Sequence, residues 1–79
     1  MASQFLLVNK ANDDSESDVL IFGIKNGTTG NVLSLDGGEI EVSVDEPGAK
    51  TQIITLENTT IDNPMIVYIE TEGDDEEKS

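Results

Sequence analysis

Hydrophobic and polar residues alternate with a period of two along most of the chain. The pattern is strictest in GEIEVSVD (38–45): Ile40, Val42 and Val44 fall on one side, Glu39, Glu41 and Ser43 on the other. Such alternation predicts a strand with one buried and one wet face, because successive side chains point to opposite sides of a pleated backbone. MIVYIETE (65–72) sorts the same way, with Val67 and Ile69 opposing Tyr68, Glu70 and Glu72. KTQIITLE (50–57) is rich in β-branched residues and offers Ile54 and Leu56 as its inward pair.

Two earlier runs, QFLLV (4–8) and VLIFGI (19–24), are apolar on both sides. A strand of this kind is normally covered on both faces. So short a chain has little material for a second cover, so one side of each run is expected to meet another polypeptide. Leu6, Val8, Val19 and Ile21 are the interface candidates on these runs, with Tyr68 added from the wet side of the last strand. The competing expectation is that both runs form the centre of a tightly wrapped fold.

Turn chemistry separates the runs. Asn26-Gly27 is a preferred pair for a two-residue hairpin, and LDGGE (35–39) predicts a second hairpin. Pro47-Gly48 suits the centre of a type II turn. NTTIDNP (58–64) predicts a longer crossing, with Pro64 unable to join a central ladder. The expected fold is all-β: six strands, roughly 4–9, 18–25, 31–36, 39–45, 50–57 and 65–72, in an antiparallel sandwich or small barrel with hairpin connections. No window repeats at the helical period. Residues 1–72 read as a single β-domain. Residues 73–79, GDDEEKS, have no apolar member and read as an acidic C-terminal tail.

Composition narrows the function classes. The chain has 79 residues, no cysteine and no histidine. A domain of this size buries only about 60% of its unfolded surface, and neither disulfides nor a Cys/His zinc site can supplement that core. Seventeen acidic residues against four lysines give a net charge of −13. That balance predicts no nucleic-acid partner, since phosphate contacts need Lys and Arg, and no anionic membrane partner. It favours basic protein surfaces, which the acidic tail could also meet. The first residues, MASQFLLVNK, have too short an apolar run for a signal peptide, and no stretch has the ~20 apolar residues of a membrane helix.

The one motif that suggests chemistry is NDDSESD (12–18), with carboxylates at Asp13, Asp14, Glu16 and Asp18. Asp14, Glu16 and Asp18 are the candidate ligands for a hard cation such as calcium, which takes six to eight oxygens. Asp36 or Asp62 could help from neighbouring loops. An EF-hand register fails, because Asp18 or Val19 stands at the glycine position and Ile24 or Lys25 at the glutamate position. The plainer expectation is a solvated loop and no cofactor. Glu39 and Glu41 share a face, but a wet one, and paired-carboxylate catalysis needs a cleft. GTTGNV (27–32) lacks the lysine of a phosphate loop.

These features predict a non-enzymatic structural subunit that docks on a larger assembly, as an oligomer. A virion accessory or capsid-decoration protein is its concrete form. The alternative is a small ligand-binding module for calcium or for carbohydrate, with Tyr68 as the stacking residue. No localisation signal is read from the chain.

Overall fold

A computed structural model describes residues 3–11 and 15–71. Seven strands follow one another: β1 (Ser3–Lys10), β2 (Asp18–Ile21), β3 (Ile24–Thr28), β4 (Val32–Asp36), β5 (Gly38–Val44), β6 (Gln52–Leu56) and β7 (Met65–Ile69). They form a smaller sheet of three strands, ordered β4-β1-β7, and a larger sheet of four, ordered β3-β2-β5-β6. The inner faces of the two sheets meet in one apolar core, so the fold is sandwich-like and not a closed barrel. No helix occurs among the described residues, and so none long and apolar enough to cross a membrane. Neither the 73–79 tail nor Asp14 lies within the described residues.

The extra strand comes from a hairpin the sequence hides. The expected strand 18–25 is two strands, β2 and β3, joined by Phe22-Gly23, with Ile21 paired to Ile24. Both turn residues have positive φ, 53° at Phe22 and 81° at Gly23, the conformation that lets a two-residue turn match the twist of its strands. Asn26-Gly27, the predicted hairpin turn, lies inside β3 instead. LDGGE is not a hairpin either. It carries the chain from β4, which pairs with β1, to β5, which pairs with β2 and β6.

One pairing departs from the antiparallel expectation. β1 and β7 run parallel, with Leu6, Val8 and Lys10 opposite Met65, Val67 and Ile69. The reason lies in the crossing at 57–64, which returns the chain across the molecule before β7 begins. It is pinned to the start of β1: the Phe5 amide donates to Thr59 Oγ1 at 2.7 Å, and the Thr59 amide donates to Gln4 Oε1 at 2.9 Å. The Pro-Gly turn between β5 and β6 forms as predicted. The Ala49 amide donates to the Glu46 carbonyl at 3.2 Å, and Gly48 has φ of 73°.

The core comprises Leu6, Val8, Val19, Ile21, Leu33, Ile40, Val42, Val44, Leu56, Val67 and Ile69. Alternation correctly sorted Ile40, Val42, Val44, Leu56, Val67 and Ile69 inward. Ile54 is partly buried against the same cluster, whereas Ile53 is exposed. The expectation for the doubly apolar runs is corrected. Leu6, Val8 and Val19 are fully enclosed by the molecule's own atoms, and Ile21 is buried beside them. They are core residues and not an interface. The residues of opposite parity, Phe5, Leu7 and Leu20, are the half-buried ones.

Polar groups close one end of the core. Lys10 follows Leu6 and Val8 on the inward side of β1 and is itself buried. Its ammonium donates to Ser15 Oγ at 2.5 Å and pairs with Glu46 Oε2 at 3.3 Å, while Ser17 Oγ bonds the same carboxylate oxygen. Ser17 and Thr29 are tied by two bonds: the Ser17 amide donates to Thr29 Oγ1 at 3.0 Å, and the Thr29 amide to the Ser17 carbonyl at 2.9 Å. A buried ammonium demands such partners, since an uncompensated charge in the interior is costly.

Candidate functional site

The outward face of the smaller sheet is the most distinctive surface of the molecule. Strand register determines its composition. Leu7 lies opposite Val32 on β4 and opposite Ile66 on β7. These three side chains therefore form one apolar row across all three strands. Val32 is 41% exposed and Ile66 51% exposed, while Leu7 between them is half-buried. One step along β1 toward its start, Phe5 is paired with Ser34. One step toward its end, Asn9 is paired with Tyr68, which is 57% exposed.

The outward face of the larger sheet is built differently. Its inner strand β5 presents Glu39 and Glu41, both exposed. Ile53 is exposed but sits opposite Glu41, and Lys25 sits opposite Leu20. Phe22 is 59% exposed at the hairpin turn, where its amide donates to the Glu41 carbonyl. Apolar residues occur on this face, but charged neighbours divide them. On the smaller sheet they are contiguous, and contiguous exposed apolar area is the kind that marks contact sites.

Acidic residues border the smaller sheet's face. Asp36 ends β4 opposite Ser3, and Glu70, two residues beyond Tyr68, is exposed at the other end. Of the described lysines, Lys10 is buried inward and Lys25 belongs to β3, whereas Lys50, just before β6, is exposed and its amide donates to the Glu70 carbonyl at 2.9 Å. Residues 73–79 carry no apolar side chain that could be buried against it.

Tyr68 also borders an open polar groove of about 540 Å³, lined by Asn9, Ser15, Glu16, Thr29 and Asn31 among others. The Asn31 amide nitrogen donates to Thr28 Oγ1 at 2.8 Å and to Glu16 Oε2 at 3.3 Å. Of the carboxylates assigned to a cation, Glu16 thus accepts from Asn31. Asp18 pairs with Lys25 at 3.4 Å, and Asp14 is not among the described residues. Among the described residues no group of three or more acidic side chains is gathered to hold a metal ion.

Of the sequence-derived interface candidates, only Tyr68 is on an exposed face. Sequence reasoning missed Phe5, Leu7, Val32 and Ile66. The signal that could have found Ile66 was present, because it shares the parity of Tyr68. The outward parity of β1 could not be chosen from a run that is apolar on both sides. The chain matches no protein-family model, no curated protein and no solved structure.

Proposed function

We propose that this protein is a non-enzymatic docking subunit that attaches to a larger protein assembly through the outward face of its β4-β1-β7 sheet. The observation that carries this reading is the unbroken Val32–Leu7–Ile66 row. Water gains nothing from hydrating that row, and covering it removes apolar area at roughly 25 cal/mol per Å². The contact surface is thus the side of β1 opposite to Leu6 and Val8. A particle-decorating or capsid-accessory role is the concrete form of the proposal. The face itself is indifferent to which assembly it meets.

Fractionation of the native extract by size tests the proposal. The wild-type chain should elute with high-mass material. Ile66→Lys should move it to the position of the free chain, because a desolvated ammonium opposes docking. Ile53→Lys, at a more exposed position on the larger sheet, should leave the elution unchanged. A wild-type chain that elutes free, or a pool equally sensitive to both substitutions, overturns the proposal.

A further inference from the structure

We propose that the groove beside Tyr68 is a binding subsite for a neutral saccharide, with the Tyr68 ring as its stacking platform. The site lies at the polar end of the smaller sheet's face, one step beyond Leu7, and does not depend on the docking reading above.

Four chain segments build the groove. Asn9 of β1 and Tyr68 of β7 stand opposite each other in the parallel pair. The turn after β3 contributes Asn31, and the segment before β2 contributes Glu16. Backbone bonds tie these segments together. The Ala11 amide donates to the Ile69 carbonyl, the Gly30 amide to the Val8 carbonyl and the Thr29 amide to the Ser17 carbonyl, each at 2.9 Å. Beneath the ring, the Tyr68 carbonyl accepts from Gln52 Nε2 at 2.6 Å. The walls are therefore fixed before any ligand arrives, which lowers the ordering cost of binding. The groove's volume of about 540 Å³ lies in the range of small-molecule sites.

Several polar groups in the groove keep unused bonding capacity. The Asn9 side chain and the Tyr68 hydroxyl make no hydrogen bond among the described residues. Asn31 Nδ2 donates to Thr28 Oγ1 and to Glu16 Oε2, which leaves Asn31 Oδ1 and Glu16 Oε1 able to accept. The ring of Tyr68 is 57% exposed and so has a face available for contact.

This inventory selects the ligand class. Asn9 offers both an NH2 donor and a carbonyl acceptor, Tyr68 a hydroxyl, and Glu16 and Asn31 further acceptors. A hydroxyl both donates and accepts, so a polyol can match such a mixed set. A sugar ring adds a face of C–H groups, which suits the electron-rich face of an aromatic ring. An anion would meet Glu16, while the Lys10 ammonium is turned inward onto Glu46 with its side chain 1% exposed. A cation supplies donors alone, and the Asn9 NH2 group would face them unmatched.

The test titrates the isotope-labelled 79-residue chain with trisaccharides of glucose, mannose, galactose and N-acetylglucosamine, and separately with glucuronate and with arginine amide. At least one neutral trisaccharide should bind saturably in the millimolar range. It should shift the side-chain amide signals of Asn9 and Asn31 and the ring signals of Tyr68, with Glu39 and Glu41 unmoved. Tyr68→Ala should weaken binding by about tenfold or more, whereas Tyr68→Phe should retain most of it because the ring remains. Asn9→Ala should weaken it severalfold. An unchanged melting temperature in each variant shows that the loss belongs to the site. No saturable shift with any of the four sugars overturns the proposal, as do shifts centred elsewhere or a Tyr68→Ala chain that binds like wild type. Arginine amide or glucuronate binding at these residues as tightly as the best sugar also overturns it, the first by assigning the groove to a basic side chain and the second by removing the charge argument.

Discussion

Gly27 and Phe22 both occupy backbone conformations that their neighbours impose. Gly27 has φ of 152°, and a Cβ there would run into the Leu33 side chain, which is buried in the core. Gly27→Ala should therefore destabilise the fold by about 1–3 kcal/mol, through both strain and overpacking. A lower urea midpoint with an unchanged slope would confirm this. Phe22 is the opposite case. Its φ of 53° is one that a bulky L-residue adopts only at a cost, and its ring is largely exposed. Phe22→Asn should raise stability by about 1 kcal/mol, since Asn tolerates that conformation and suits this turn. A loss of stability on thermal melting would show that the ring packs more than its exposure implies. Residue patterns made some of this legible. Asn26-Gly27 was expected to turn a hairpin, but only Gly27 takes a positive φ, inside β3, and the turn itself formed at Phe22-Gly23. There the pairing of Ile21 with Ile24 and of Val19 with Val44 outweighs local preference.

Between elements, the Lys10–Glu46 pair has the widest reach. It joins the end of β1 to the β5–β6 connection, and Ser17 brings in the segment before β2. Glu46→Gln removes a charge that compensates a buried ammonium. The carboxylate is about one-third exposed, so the cost should be about 2 kcal/mol, below the range for a fully buried pair. Lys10→Met alone should cost less, because the acid it leaves behind is about one-third exposed and keeps its bond to Ser17. In the double variant the two losses should not add, and a coupling of at least about 1 kcal/mol in a denaturation cycle is the expected result. Additive losses would mean that the pair contributes nothing beyond its separate contacts. The sequence concealed this feature. Lys10 breaks an apolar alternation and looks like the point where β1 reaches solvent, while its partner lies 36 residues away.

For the whole molecule, charge and surface apolarity act in opposite directions. A net charge of −13 on so small a body repels itself. Raising sodium chloride from about 0.05 M to about 0.5 M shortens the screening length from roughly 14 Å to about 4 Å, so the melting temperature should rise by several degrees. A flat or falling curve would show that attractive pairs outweigh the repulsion. The same screening should not weaken docking through the proposed apolar face, whose Val32–Leu7–Ile66 row carries no charge.

The sequence by itself determined the all-β class, the inward residues of β5, β6 and β7, the Pro-Gly turn and the acidic character. Each follows from local periodicity, turn stereochemistry or composition. Only the tertiary structure decided which side of β1 and β2 faces inward, that β1 meets β7 in parallel, and that Leu7 comes to lie between Val32 and Ile66. A strand apolar on both sides has two equivalent ways to face a core, and local pattern cannot separate them. The choice is made by partners distant in the chain: Leu33 and Met65 for Leu6, Val67 for Val8, Val44 for Val19 and Val42 for Ile21. Packing against those residues buries one parity and leaves the other facing outward.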